Sequence, residues 1–336
     1  MKYIVCQKPG LWSEGEKESP TPKPNEALVQ IKKIGVCGTD LHAFKGNQAF
    51  FNYPRILGHE LAGVVIEPPK DKTPLKKGDR VAILPYMNCS QCDACHAGKT
   101  NCCEKLQVLG VHVDGGMQEQ MALPHTHLIP LNTLSLEAIA LIEPLSIGAH
   151  ALRRAAPQAG QTIVVMGCGP IGVGIMQLAK NRGLRVIALD QDEERLNFVK
   201  THLDVEGILA GVKAEDAIKS LTQDKRADMV FDATGNQKAM ENGHHFMKHG
   251  GTYLLVGLYK DSLSFKHPEI HAKETTLLCS RNATKEDFDW VIDTLQKDNF
   301  PVNRYITHQM DFKNVATAFE TLYNSNKLLM KAIISL

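Results

Sequence analysis

The chain is 336 residues long, enough for about two domains with a hydrophobic core each. Lysine plus arginine number 38 against 37 acidic residues, a balance that offers nothing to nucleic acid or to an anionic membrane surface. Hydrophobic content of 43% is ordinary for a globular protein, and no stretch approaches the roughly 18 consecutive apolar residues that span a bilayer. The apolar run after Met1 is too short for a signal peptide, so a cytoplasmic protein is expected. Nine cysteines, five of them between Cys89 and Cys103, do not look like a disulfide framework. In a reducing compartment they point to metal or catalytic roles.

In chain order, residues 3–6 read as a short strand, and three prolines between Ser19 and Asn25 impose an extended turn. Residues 27–34 read as a strand that delivers Gly35-Val36-Cys37-Gly38-Thr39-Asp40-Leu41-His42. Gly58-His59-Glu60 follows, then further strands over 61–67 and 80–83. Short strands between Gly/Pro turns argue for a β-rich amino-terminal domain. Thiol, imidazole and carboxylate are donors that zinc accepts, and three protein ligands leave a fourth position open for water or substrate. Taken singly, Cys37 reads as a buried thiol, His59 as a core histidine, Thr39 as a helix cap and His42 as a surface residue. Together they favour a catalytic metal site, with Asp40 and His42 suited to orienting ligands and moving protons.

Cys89, Cys92 and Cys95 form two CxxC steps that share a cysteine, with Cys102 and Cys103 close behind. Four thiolates close a tetrahedral site with no open position, so its role is structural; spacing alone leaves Cys102 and Cys103 as alternatives for the fourth. His112 and Asp114, in a glycine-rich stretch, read either as turn residues or as part of a substrate pocket. Glu143 stands just before an apolar helix start, where a buried carboxylate needs a partner and a metal would supply one.

The grammar changes at Gln161. Residues 162–166 form a near-continuous apolar run, as in a parallel strand buried on both faces. Gly167-Cys168-Gly169-Pro170-Ile171-Gly172 follows, then a helical stretch, a second strand over 186–189, and Asp190, eighteen residues after Gly172. That is the dinucleotide fingerprint in its structural setting. Asp190 can accept bonds from the ribose hydroxyls and repels a 2′-phosphate, which favours NAD over NADP. Strand-like runs over 228–232 and 251–257 end near Thr234 and Gly257, small residues suited to a cofactor lying across strand ends. A helical stripe at Val315, Ala318, Phe319 and Leu322 precedes a final strand over 329–334.

These motifs, in this order, resemble the zinc-dependent medium-chain dehydrogenase family over nearly the whole chain. The resemblance implies an α/β protein with a β-rich second domain. A GroES-like β-barrel catalytic domain would span 1–150 and a Rossmann doubly wound parallel sheet 151–281, with 282–336 returning to the barrel. It implies catalytic zinc on Cys37, His59, Glu60 and Glu143, the last directly or through water. It implies structural zinc on Cys89, Cys92, Cys95 and Cys103 rather than Cys102. Cofactor contacts would come from Gly167, Gly169, Pro170, Ile171, Gly172, Asp190, Arg195, Thr234 and Gly257. In the family's mechanism zinc polarises the substrate hydroxyl, hydride passes to NAD, and the proton leaves through Thr39, the cofactor ribose and His42. Asp40 would fix the His59 tautomer.

Residues 46–55, 100–105, 110–112 and 280–284 narrow the resemblance to bacterial sugar-acid dehydrogenases. That branch implies oxidation of the C5 hydroxyl of a hexonate such as L-galactonate or L-gulonate. A carboxylated substrate calls for a cation in the cleft; Arg281 is the first choice, with Arg55 and His112 as alternatives. Rival readings are a polyol or threonine-type dehydrogenase on the same scaffold, a non-catalytic NAD-binding regulator, and a zinc-ribbon nucleic-acid module. The family also implies a homodimer or homotetramer.

Overall fold

A computed structural model describes residues 1–48, 51–324 and 328–336. Ala49 and Phe50, inside one stretch that carries the sugar-acid resemblance, lie outside the described residues. Met1–Glu143 together with Ile292–Leu336 form one compact unit, and Pro144–Val291 form the other. The boundaries expected after residues 150 and 281 both fall inside the second unit.

The first unit is built on a seven-stranded sheet. Its order is Ile306–Asp311, Lys331–Ser335, Glu26–Val36, Glu60–Glu67, Arg80–Ile83 and Leu128–Pro130, with Gln120–Pro124 also paired to Glu26–Val36. All pairs are antiparallel except the first, which is parallel. The long strand Glu26–Val36 holds the sheet together because Ala27, Val29, Ile31 and Ile34 are all completely buried. The carboxyl-terminal strand Lys331–Ser335 pairs with its far end, Ala332 opposite Val36. Trp12, Phe44 and Phe319 pack as a stacked and edge-on aromatic trio in the same core, which ties the terminal helix Val315–Asn324 to this unit.

The second unit carries a six-stranded, wholly parallel sheet in the order Glu206–Leu209, Arg185–Asp190, Thr162–Met166, Ala227–Asp232, Met247–Leu255 and Thr276–Cys279. Numbered along the chain this order is 3-2-1-4-5-6, the doubly wound dinucleotide-binding arrangement, whose ligand crevice lies outside the carboxyl ends of the strands. Val164, Val165, Ile187, Ala188, Val230 and Phe231 have no exposed surface, which accounts for their unbroken apolar runs. Among the described residues no helix is long and apolar enough to cross a membrane.

Candidate metal and dinucleotide sites

The register of the first sheet sets Gly35 opposite Glu60. Cys37 caps the helix Gly38–Lys45 just beyond one strand, and His59 and Glu60 open the next. Two chain segments thereby bring a thiol, an imidazole and a carboxylate together, with one donor atom of each within 4.8 Å of the others. Gly35 is required by this approach, since a Cβ there would stand 2.0 Å from Glu60 Oε2.

Asp40, fully buried, binds the cluster's backbone. Its Oδ2 accepts the Cys37 N–H at 2.9 Å and its Oδ1 the Gly58 N–H at 3.2 Å. The ring bond expected of it is not made: His59 Nδ1 lies 3.9 Å from Asp40 Oδ1 and has no hydrogen-bond partner. Both carboxylate oxygens are committed to main-chain donors, so Asp40 positions the ligands through the backbone. Burial pulls the His59 pKa down, but Cys37, Asp40 and Glu143 outweigh it and hold that pKa well above its ordinary value. A thiol, an imidazole and a carboxylate converging within 4.8 Å are a donor set that suits zinc.

Two residues missed in the sequence complete this region. Lys331, in the last strand, places its Nζ 2.7 and 2.8 Å from the two oxygens of Glu60 and 3.2 Å from the Val36 carbonyl. Its signal was a lysine inside an apolar strand, which, once buried, demands a carboxylate partner. Tyr86 donates its hydroxyl to Glu143 Oε1. Glu143 itself stands outside the converging trio of donors, in the first turn of the helix Ile142–Ala155 rather than ahead of it. Burial pushes its carboxyl up to about 7, opposed by His59.

Cys89, Cys92, Cys95 and Cys103 form a second cluster, with the four sulfurs within 4.8 Å of one another. Cys92 and Cys95 Sγ are 3.6 Å apart, close to the edge of about 3.8 Å expected for a tetrahedron of Zn–S bonds. Cys103 is buried in the group, whereas Cys102 is exposed and outside it. Backbone N–H groups of Gln91 and Cys92 draw the Cys89 thiol down to about 6, while burial and Cys92 push Cys95 up to about 11. Sulfurs this close do not all ionise without a cation between them.

Thr39, half-buried, and His42, exposed, sit one turn apart on the helix that Cys37 caps. Arg55 is engaged locally, with its Nη1 3.1 Å from Asp114 Oδ1. His112 Nδ1 accepts the Val108 N–H at 3.1 Å, as a turn residue would. Arg281 is exposed in the loop between Thr276–Cys279 and the helix Lys285–Gln296.

In the second unit Gly167 has a φ of +92°, and a Cβ on Gly172 would stand 1.8 Å from the Gly167 carbonyl oxygen. The turn therefore closes only with glycine at both positions. The helix Pro170–Asn181 starts at Gly169, with proline in its first turn, just past the carboxyl end of the first parallel strand, and the unpaired N–H groups of a helix start suit an anion. Asp190 ends the second strand; its Oδ2 accepts the Cys168 N–H at 2.6 Å and its Oδ1 the Asp192 N–H at 2.9 Å. Arg195 lies beside the turn, its Nη1 3.1 Å from where a Gly169 Cβ would be. At the end of the fourth strand Asp232 holds Thr234 and Gly235, and Gly257 packs so closely that a Cβ would meet Gly235 N at 2.3 Å.

Residues 23–133 match the alcohol dehydrogenase GroES-like domain family and residues 170–297 the zinc-binding dehydrogenase family. The L-galactonate-5-dehydrogenase of Escherichia coli strain K12 is 42% identical over 336 residues, spanning 100% of this chain and 99% of that protein. The chain belongs to the zinc-type alcohol dehydrogenases. A short chain alcohol dehydrogenase, rspB, from E. coli CFT073, crystallised with cofactor NADH, superposes with a TM-score of 0.93 at 29% identity, covering 100% of this chain and 99% of that one. Galactitol-1-phosphate dehydrogenase from Escherichia coli superposes at 0.92 with 25% identity and full coverage of both chains. The mostly antiparallel seven-stranded sheet is thus the expected GroES-like domain and the wholly parallel sheet the expected Rossmann domain. As a family member the chain is a zinc-dependent oxidoreductase of the polyol and sugar-acid type.

Proposed function

We propose that this dehydrogenase oxidises the C5 hydroxyl of a hexonate, such as L-galactonate or L-gulonate, and passes the hydride to NAD. The reading rests on the end-to-end identity of 42% with L-galactonate-5-dehydrogenase in a chain whose Cys37, His59 and Glu60 converge. Cys37, His59 and Glu60 would hold the catalytic zinc, with Glu143, oriented by Tyr86, at its edge. Cys89, Cys92, Cys95 and Cys103 would hold the structural ion. A bound zinc supplies the Lewis acidity that lowers the pKa of a substrate hydroxyl, and NAD supplies the hydride acceptor. Thr39 takes the hydroxyl proton, and His42, exposed one turn along, releases it to water. Asp190, at the end of the second parallel strand, would accept the ribose hydroxyls on the lone pairs that its bonds to Cys168 and Asp192 leave, and would repel a 2′-phosphate, which favours NAD over NADP.

Arg281, exposed in the loop that follows Thr276–Cys279, is the preferred partner for the substrate carboxylate, with Arg55 and His112 as alternatives. The enzyme is further proposed to be a cytoplasmic homo-oligomer. Its nine free cysteines suit a reducing compartment, and the edge strand Thr276–Cys279 leaves Leu277 44% exposed for a second copy.

The test is the initial rate of NAD reduction with L-galactonate, L-gulonate, sorbitol and L-threonine, before and after zinc removal. Activity on a hexonate that disappears with the metal is expected. Arg281→Ala should raise the hexonate KM about 10- to 100-fold, the size of a lost bond between charged groups. Zinc-dependent activity on sorbitol or threonine alone would overturn the hexonate assignment.

A further inference from the structure

We propose that His244, His245 and Glu269 form a further divalent transition-metal site, in the unit that holds neither cysteine-bearing cluster. Successive side chains in a 3-10 turn diverge by roughly 120°. In the turn Gly243–Phe246, however, His244 and His245 hold their rings 4.1 Å apart and aim both Nε2 atoms at one oxygen. That oxygen is Oε2 of Glu269, on the helix His267–Ala272, at 3.2 Å from His244 and 3.4 Å from His245.

These separations are long for charge-assisted hydrogen bonds, which run at about 2.7–2.9 Å. They match the edge of about 3.3 Å in a tetrahedron of zinc–nitrogen and zinc–oxygen bonds. The carboxylate's other oxygen, Oε1, is taken by Lys266 Nζ at 3.1 Å, so the one facing the imidazoles is the one left to bind an ion. The turn is held rigid from behind. Lys273 Nζ donates to the carbonyls of His244, His245 and Met247 at 2.8, 3.3 and 2.9 Å.

His244 is buried, while His245 and Glu269 are about one-third exposed, which gives an ion a path in. Two imidazoles and one carboxylate are a borderline-soft donor set suited to zinc, cobalt or nickel, with a fourth position left to water. The ammonium groups of Lys266 and Lys273 oppose a cation, so the ion here is exchangeable and held less tightly than one among four cysteines. The site lies at the amino ends of the strands Met247–Leu255 and Thr276–Cys279, the opposite edge of the parallel sheet from the glycine turn. A bound ion ties together the two segments that lead into those strands.

The test uses the full chain dialysed against buffered cobalt or zinc, with bound metal counted for wild type, His245→Ala and Glu269→Gln. Wild type should hold one equivalent more than either variant, whatever number the other clusters hold. That extra cobalt should show imidazole–carboxylate d–d absorption and raise the melting temperature of wild type only. His267→Ala/His271→Ala, which removes the neighbouring histidine pair, should keep the extra equivalent. Glu269→Gln preserves the shape of the side chain, and equal melting temperatures in chelator would show that the variants fold. Equal metal counts in wild type and both variants would overturn the proposal. So would loss of the extra equivalent in the His267/His271 variant alone.

Discussion

Lys331 and Glu60 form a buried ion pair, 2% and 1% exposed, in which one ammonium contacts both oxygens of a carboxylate in the converging trio. Burial opposes the ammonium, and Glu60 overcomes it, holding the Lys331 pKa above its ordinary value. Removing one partner of such a pair strands a buried charge and typically costs about 3–5 kcal/mol. Lys331→Met should therefore lower stability by that order in a denaturant titration. It should also free Glu60 to move, reducing metal retained at the Cys37 cluster. The double variant Lys331→Met/Glu60→Gln, with no stranded charge, should recover most of the stability without restoring activity. If the single variant is as stable as wild type, the pair is not holding the carboxylate in place.

What could be read in the sequence was whatever chemistry is local. The strand–glycine turn–helix–strand–Asp190 unit was legible because buried parallel strands are unbroken apolar runs and the turn geometry excludes all but glycine. The cysteine spacing was legible for the same reason. Edge elements were not. Leu11–Glu16 and Ile306–Asp311 are short and half-exposed, each paired on one side only, to Lys2–Lys8 and Lys331–Ser335, so their composition carries little strand signal. The strand expected from Gly251 begins at Met247, since Lys248, His249 and Gly250 look like a turn but lie on the exposed part of a long strand. Pairings such as Lys331 with Glu60, 271 residues apart, and Tyr86 with Glu143, 57 apart, exist only once the sheet has formed.

Cys102 and Cys103 are neighbours with opposite surroundings, one exposed and one in the four-sulfur cluster. Cys103→Ser should lose one equivalent of zinc or cobalt together with the thiolate-to-cobalt charge-transfer band, because three thiolates and a hydroxyl bind far less tightly than four thiolates. It should also make the segment from Cys89 to Cys103 sensitive to protease. Cys102→Ser should change neither metal content nor melting temperature. The reverse pattern would move the fourth ligand to Cys102.

Asp232 is fully buried at the end of the fourth parallel strand, accepting Thr234 N and Gly235 N at 3.0 and 3.4 Å and Thr234 Oγ1 at 3.0 Å. Burial outweighs these bonds and pushes its pKa from 3.8 up to about 6. Between those values the native chain keeps a proton that the unfolded chain has released. The stability this proton brings is complete below the unfolded value and is lost as pH rises through about 6. At 1.36 kcal/mol per pH unit, wild type should lose on the order of 2 kcal/mol relative to Asp232→Asn between about pH 4.5 and about pH 6, then run parallel to it. Urea unfolding of both proteins without cofactor, across that range and up to about pH 7.5, measures the difference directly, because every other titrating group is common to the two. Parallel profiles throughout would mean that Asp232 is ionised in the native protein at the low end. Its carboxylate would then hold the Thr234–Gly235 turn as a full anion at every pH tested.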